Sequence, residues 1–249
     1  MDLKNKRIEF LAQTIQNPFE VKTKILFFAI DFNIAYSTEI DTVPIEVGIV
    51  PFTLFDGPMR SQFFHEIINE IIPSSYQLRA KQRATFEHGI SAENNPAIHT
   101  SYEILYDRMS AFIMETYKSK IQGKSNGTPI LIASNFSQTL QCIRYIAKQA
   151  GKLNEVMGSV FSKMISYEDF VQYYYISKGI SIPIDVIPQS VYKLLNDDVN
   201  EEYYCDFHKE KRPRHFCCAK VNATYFADVM FRYFNVLNEE NNFHKMWDK

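Results

Sequence analysis

The segment KILFFAIDFNIAYSTEIDTVPIEVGIVPF, residues 24–52, decides the fold. Its first part is a continuous apolar run, typical of a strand buried on both faces, and it predicts a strand over roughly residues 24–33. A turn-like EID follows, and TVPIEVGIVPF predicts a second strand over roughly residues 44–52. Asp56-Gly57-Pro58 is a hairpin signal, and SQFFHEIINE beyond it predicts a third strand or a short helix. Three strands joined by short turns indicate an antiparallel meander.

The rest of the chain alternates strands and helices. After a polar, irregular stretch over residues 73–100, apolar residues recur at helical spacing over 101–121. PILIAS, 129–134, predicts a short buried strand, and 136–151 a helix with Ser137 as a possible N-cap. SVFSKMIS predicts a further strand, and 218–238 an amphipathic closing helix. A strand followed by a helix indicates a parallel crossover, so the predicted fold class is α/β.

The composition is ordinary for a soluble globular protein. Hydrophobic residues make up 46% of the 249 residues, and the net charge of -2 gives no global attraction to nucleic acid or acidic membranes. The N-terminus lacks the apolar run of a signal peptide, and no stretch approaches the roughly 18 apolar residues of a membrane span. We expect an arm over residues 1–20, a single domain over 21–249, and a reducing compartment. There, clustered cysteines are more often metal ligands or reactive thiols than disulfides.

Such a cluster lies in CDFHKEKRPRHFCC, residues 205–218, which holds three of the four cysteines and two of the six histidines. Cys205-x2-His208-x8-Cys217 is a candidate set of three zinc ligands, because thiolate and imidazole are preferred zinc donors. Cys218 competes with Cys217 for this role, and the spacing favours Cys217. A fourth ligand must come from elsewhere, and four protein ligands would make the zinc structural.

Two short basic segments are candidate phosphate contacts on this nearly neutral chain. Local patches of this kind suit single-stranded RNA better than long duplex DNA. A solvated surface loop is an equally good interpretation of such short runs. The residues concerned are Lys209, Lys211, Arg212 and Arg214 in the first segment, and Arg79, Lys81 and Arg83 in the second.

The order of elements and several short motifs resemble the ribonuclease H-like exonucleases. FAIDFN falls where those enzymes carry Asp-x-Glu on their first strand, and FEHGISAENNP resembles their His-Gly-Ile-Thr loop. ILIASNFSQTL falls where they carry a His-Asn and then an Asp. The resemblance implies a mixed sheet, in which an antiparallel three-strand meander is followed by parallel strands, flanked by helices.

The carboxylates that such enzymes use to hold two divalent cations are largely replaced here. Asp31 is present, but its partner position is Asn33, and the second-motif position is Thr139. The third motif, a His followed five residues later by Asp, would correspond to His215 and Lys220. One carboxylate of the set cannot assemble a two-metal site, so we interpret Asp31 as a remnant held by hydrogen bonds.

The combination of this broken site with the cysteine cluster resembles the Maelstrom domain family. The resemblance implies one structural Zn²⁺ held by Glu46 of VPIEVGIVPF together with Cys205, His208 and Cys217, and His88 matches a further family histidine. It implies single-stranded RNA and piRNA-pathway proteins as partners, silencing of transposons in the germline, and a location in perinuclear cytoplasmic granules and the nucleus. The family is also linked to cleavage of single-stranded RNA, for which the sequence offers no nucleophile or base. The family's frequent HMG box has no counterpart here, so we expect no duplex-DNA bending.

Two other hypotheses remain open at this stage. A divergent metal-dependent nuclease could rebuild its site from Asp31, Glu46 and acids such as Glu87 or Glu93. Alternatively, the fold could serve as a non-catalytic module for protein interactions.

Overall fold

The structure is a computed structural model that describes residues 25–54, 56–91, 101–121, 129–170, 172, 203–210 and 217–238. The arm predicted over residues 1–20 lies outside this part of the chain. The described residues form one mixed sheet with helices packed against it.

The predicted meander forms the first half of the sheet. Its strands are β1 (Phe27–Ser37), β2 (Thr42–Thr53), β3 (Gly57–Pro58) and β4 (Phe64–Ile67). β2 pairs antiparallel with β1, β3 and β4. Nearly every residue of β1 and β2 is buried, which explains their unbroken apolar sequence. The β1–β2 pairing shifts register near Ile34, opposite Pro44, a residue without the N–H that a regular ladder needs.

The second half of the sheet is parallel, as the strand-then-helix order predicts. Helix α1 (Gln77–Arg83) and helix α2 (Tyr102–Ile121) precede β5 (Ile130–Ala133), and helix α3 (Phe136–Gln149) precedes β6 (Met164–Ser166). β5 lies between β1 and β6 and is parallel to both, giving the order β3-β2-β1-β5-β6 with β4 also on β2. The predicted α/β mixed sheet is confirmed.

Helices cover both faces of the sheet. On one face, Phe28 and Ile30 of β1 join Met109 and Ile113 of α2 and Ile146 of α3 in the largest apolar core. On the other face, the closing helix α5 (Ala219–Asn238) packs across β1, β2 and β3. Helix α4 (Asp206–Glu210) is a single turn that comes before α5 in the chain.

Glycine permits the closest contact between α5 and the sheet. A Cβ atom on Gly48 of β2 would lie 2.4 Å from the carbonyl oxygen of Ala219, the first residue of α5. No side chain can occupy that space unless the helix moves. Gly48 therefore seats the start of α5 beside Glu46, two residues earlier on the same face of β2.

Two local features differ from the sequence predictions. The stretch predicted to be irregular contains α1 and a turn of π-helix, Ala84–His88, which ends at Gly89 in the left-handed conformation (φ 68°). The N-cap of α3 is Asn135 rather than Ser137, because the Asn135 side chain accepts a hydrogen bond from the Gln138 amide at 3.1 Å.

Candidate metal centre

Glu46 is the centre of a buried polar group. Its side chain is inaccessible to solvent, on β2 and opposite Asn33 of β1. Its Oε1 atom accepts a 2.7 Å hydrogen bond from His65 Nε2, and its Oε2 atom accepts one from the Ala219 amide at 3.0 Å. Asn33 Nδ2 also donates to Oε2. A buried carboxylate requires such partners, so every neighbour of Glu46 here contributes to its placement.

Cys205 and His208 face Glu46 from the α4 turn. The C-x2-H spacing places both side chains on one side of a helical turn, and Cys205 Sγ lies 2.9 Å from His208 Nδ1. His208 Nε2 donates to the backbone carbonyl of His88 at 2.8 Å, so the lone pair of the neutral ring is on Nδ1. That atom lies 3.5 Å from Glu46 Oε1. The predicted convergence of Glu46, Cys205 and His208 is therefore present in the structure.

Cys218, and not Cys217, supplies the second thiol of this group. Cys218 is buried with its Sγ 3.5 Å from Glu46 Oε1, whereas Cys217 is exposed. The backbone of Cys217 is held instead, by its amide donating to the Glu87 carbonyl at 2.7 Å and its carbonyl accepting from Asn33 at 2.6 Å. Consecutive residues ahead of a helix direct their side chains to different sides, so only one of the two thiols can enter the group. The spacing in the sequence had favoured Cys217 instead.

His65 is a member that the sequence analysis missed. It lies on β4 opposite Gly48 of β2, two residues along the strand from Glu46. Ligand atoms of Glu46, His65, Cys205 and Cys218 all lie within 4.8 Å of one another. One sequence feature could have identified His65: it lies in the segment predicted as a third strand of the meander, next to the strand of Glu46. We call Glu46, His65, Cys205, His208 and Cys218 together the Glu46 cluster.

The Glu46 cluster suits zinc in both chemistry and spacing. Thiolate, imidazole and carboxylate are the usual zinc donors, and tetrahedral coordination separates them by about 3.3–3.8 Å. The distances from Glu46 Oε1 to Cys218 Sγ, His208 Nδ1 and Cys205 Sγ are 3.5, 3.5 and 4.0 Å. His65 is closer, at hydrogen-bonding distance from the same oxygen. Cys205 Sγ and His208 Nδ1, at 2.9 Å, would have to move apart to bind the same ion. Glu46, Cys205, His208 and Cys218 could then serve as four zinc ligands, with His65 donating a hydrogen bond to the carboxylate.

The electrostatics of the cluster favour an ionised carboxylate. Burial opposes ionisation of Glu46, but the His65 hydrogen bond and the positive charges that His208 and His65 carry when protonated outweigh it and lower the pKa of Glu46. The hydrogen bond from Cys218 lowers the pKa of Cys205, while burial raises the pKa of Cys218 well above its usual value. Without a metal, the two sulfurs therefore differ: the pKa of Cys205 lies below that of an ordinary thiol and the pKa of Cys218 lies above it.

Asp31, the remnant carboxylate, lies outside the Glu46 cluster. Ser134 donates to its Oδ1 at 2.7 Å and Asn222 to its Oδ2 at 2.9 Å. Burial raises its pKa to about 6, against the opposing effect of these hydrogen bonds. The structure places Asn222 against Asp31, whereas the sequence comparison had assigned that motif position to Lys220. Both oxygens of Asp31 thus face neutral donors rather than further carboxylates.

The predicted RNA contacts are placed only in part. Arg79 and Lys81 lie exposed on α1, and Lys209 lies exposed on α4, 3.9 Å from Asp206. Arg83 is half-buried and pairs with Glu87 at 3.3 Å. Because the Cys217 amide bonds the Glu87 carbonyl, α1 and its turn are tied to the start of α5. Lys211, Arg212 and Arg214 lie outside the described residues.

His88 contributes to the centre by its backbone. Its imidazole is buried next to the cluster and accepts from the Ile90 amide at 3.1 Å. Burial lowers its pKa to about 4, so the ring is neutral. The backbone carbonyl of the same residue accepts a hydrogen bond from His208, a contact that any residue type could make. His88 is not among the residues whose ligand atoms lie within 4.8 Å of one another.

Comparison with solved structures supports the fold. The chain resembles the crystal structure of cell-death related nuclease 4 (CRN-4), with a TM-score of 0.54 and 12% sequence identity. The match covers 86% of this chain and 64% of that one, so the chain spans less than two thirds of the nuclease's length. At this identity the likeness concerns the fold alone, and it confirms the predicted ribonuclease H-like architecture.

Sequence comparison identifies the family. No curated protein matches the chain's sequence to a significant degree. Within the described residues, no helix is long and apolar enough to cross a membrane. The family model "Maelstrom: piRNA pathway germ-plasm component" matches residues 35–244, which include every member of the Glu46 cluster. The chain, as its broken exonuclease site and its Glu46 cluster indicated, belongs to the Maelstrom family.

Proposed function

We propose that this chain is a zinc-stabilised domain that binds single-stranded RNA in piRNA-mediated silencing of transposons in the germline. The observation that carries the zinc assignment is the convergence of Glu46, Cys205, His208 and Cys218 on one buried point. RNA binding and the pathway rest on the family and on the basic residues of α1 and α4. The locations proposed with this function, from the family, are perinuclear cytoplasmic granules and the nucleus.

The zinc has a structural role. Glu46 is on β2, whereas Cys205 and Cys218 are 159 and 172 residues away in the chain, beside α4 and at the start of α5. Four protein ligands leave no open position for a water nucleophile. Bound zinc would remove the proton from Cys218, compensate the buried charge of Glu46, and hold the C-terminal segment on the sheet.

The adjacent cysteines provide a matched test of this centre. We would measure the zinc content of purified protein, after exhaustive dialysis, for the wild type and for Cys218→Ser and Cys217→Ser. The expected result is about one zinc per chain in the wild type and in Cys217→Ser, with loss in Cys218→Ser. Zinc that survives Cys218→Ser, or that is lost in Cys217→Ser, would overturn the assignment of Cys218.

RNA binding can be tested by changing the exposed basic residues of α1. Neutralising Arg79 and Lys81 to Gln should weaken binding of a single-stranded oligoribonucleotide and make its affinity less dependent on salt, by about 0.7 in the log–log slope per lost contact. The control neutralises Lys118 and Lys120, which are exposed in the last turn of α2. Equal losses in both double variants would mean that α1 has no specific role.

A two-metal nuclease is less well supported. Asp31 faces Ser134 and Asn222, which are neutral donors, and Glu87 is paired with Arg83 at the surface. If the chain cleaves RNA, we expect the activity to survive Asp31→Ala. Loss of a Mg²⁺- or Mn²⁺-dependent activity in that variant would instead favour the divergent-nuclease hypothesis.

A further inference from the structure

Two aromatic rings beside the start of α5 each have a cation over one face. Lys220 Nζ lies 3.7 Å from the ring centroid of Phe63, and Arg60 Cζ lies 4.7 Å from that of Tyr203. Lys209 of α4 contributes a third positive charge, close enough to act electrostatically on Lys220. We call these five residues, Arg60, Phe63, Tyr203, Lys209 and Lys220, the Lys220 patch.

The Lys220 patch is open to solvent. Phe63 is 41% exposed, and Arg60 and Lys209 are exposed as well. The next residue, Phe64, is buried and packs against Phe112 of the main core, so Phe63 points away from that core. Phe63 therefore presents part of its ring to solvent beside the Lys220 ammonium group.

Aromatic rings and cations in this arrangement match the chemistry of unpaired nucleotides. A base can stack on an exposed ring, and neighbouring ammonium and guanidinium groups can contact the phosphates on either side. Asp206, which is fully exposed, brings a negative charge to 3.9 Å from Lys209. In the sequence, α4 is followed directly by three further basic residues, Lys211, Arg212 and Arg214.

We propose that the Lys220 patch is a stacking platform for single-stranded RNA, in which Phe63 receives a base and Arg60, Lys209 and Lys220 hold the flanking phosphates. This inference rests on the proposed RNA-binding function and names where the bases bind. A duplex would not be accepted in the same way, because its bases are already stacked on each other. An acidic protein segment could match the charges, but it would not need the exposed aromatic ring.

The first arm of the test compares affinities for a fluorescein-labelled oligouridine and for an abasic ribose-phosphate oligomer of equal length. Phe63→Ala should weaken oligouridine binding about tenfold and leave abasic binding unchanged, since stacking on an aromatic side chain contributes to base binding alone. Leu153→Ala is the control, because Leu153 is 46% exposed on another part of the surface. Melting temperatures of both variants should match that of the wild type.

The second arm detects stacking directly. Trp247, the single tryptophan in the chain, is replaced by Phe, and Phe63→Trp then places the only indole on the platform. Oligouridine should quench the indole fluorescence, and the abasic oligomer should not. Quenching by oligouridine alone, with a base-specific loss in Phe63→Ala, supports the platform.

The outcomes separate the two proposals. If the wild type binds oligouridine but Phe63→Ala binds it equally well and the indole is not quenched, the platform is wrong and the RNA-binding function stands. If the wild type binds neither oligomer in moderate salt, the proposed function fails and the platform with it. Equal binding of oligouridine and the abasic oligomer overturns the platform in favour of charge recognition, which an acidic protein segment could also satisfy.

Discussion

The carboxylate of Glu46 accepts a hydrogen bond from the backbone amide of Ala219, 173 residues further along the chain, at 3.0 Å. Ala219 is the first residue of α5, so a side chain on the sheet satisfies one of the amides that the start of a helix leaves unpaired. A negative charge at this end of a helix is also favoured by the helix dipole. Glu46, a residue of the sheet, therefore contacts both the first residue of α5 and the proposed zinc.

Replacing Glu46 by Gln should destabilise the fold and abolish zinc retention. Whichever way the amide is turned, its nitrogen replaces an oxygen that accepts a hydrogen bond, either from Asn33 and Ala219 or from His65. Unpaired buried donors cost about 1–3 kcal/mol each. Urea unfolding and elemental analysis check both effects. Glu66→Gln is the control, since it only weakens a partly exposed pair with Arg108. A stable, zinc-loaded Glu46→Gln variant would contradict the central role of Glu46.

Gly48→Ala should loosen α5 from the sheet. The new Cβ would lie within 2.4–2.5 Å of backbone atoms of Ala219 and Lys220, which cannot rotate away as a side chain could. Overpacking of this kind costs about 1–3 kcal/mol, to be measured by urea unfolding, and the displaced helix should also weaken zinc binding. Gly158→Ala, where a Cβ meets nothing within 4 Å, should show neither effect.

Asp31 should make stability depend on pH in a defined direction. Burial raises its pKa to about 6 in the fold, from 3.8, so the fold binds its proton more tightly than the unfolded chain does. That contribution is complete below about pH 4 and is lost as the pH rises through 6. Stability of the wild type relative to Asp31→Asn should thus fall by about 1–3 kcal/mol between pH 4 and 7.

The comparison with Asp31→Asn isolates this residue from others that titrate nearby. His88, whose pKa burial lowers to about 4, destabilises the fold as the pH falls, but it does so in both proteins. Thermal or urea unfolding at several pH values gives the difference directly. A stability difference that stays constant across this range would contradict the raised pKa of Asp31.

Zinc uptake should release protons. Burial raises the pKa of Cys218, so its thiol is protonated at neutral pH in the metal-free protein, and a coordinated sulfur must lose that proton. Calorimetric titration of metal-free protein with zinc, in buffers of different ionisation enthalpy, should give about one proton or more per zinc. Zinc binding that is independent of the buffer would argue against Cys218 as a ligand.

Most of the fold could be predicted because its signals are local. Long apolar runs specify β1 and β2, and helical spacing specifies α2, α3 and α5. The ends of β1 could not be found this way, since they depend on pairing with β2 across a register shift near Ile34. The short helix α1 was missed because its exposed residues, such as Leu78 and Lys81, show no continuous apolar face.

The candidate metal centre could be predicted only as far as spacing carries information. The C-x2-H spacing brings Cys205 and His208 together within one helical turn, which is a local property. The choice between Cys217 and Cys218 depends on where α5 begins relative to the sheet, and the role of His65 depends on the β2–β4 register. Both are properties of the tertiary structure. The sequence predicts that the strands exist, but it does not predict their register or the position at which α5 meets the sheet.

The distance along the chain between Glu46 and its thiol partners has a consequence for biosynthesis. Glu46 leaves the ribosome 159 residues before Cys205, a delay of about 8–30 s at typical elongation rates. During that time the nascent meander carries a carboxylate whose final neighbours, Cys205, Cys218 and the Ala219 amide, have not yet been made. We expect the nascent sheet to stay loosely packed around Glu46, and to consolidate only when the C-terminal segment emerges and metal can bind.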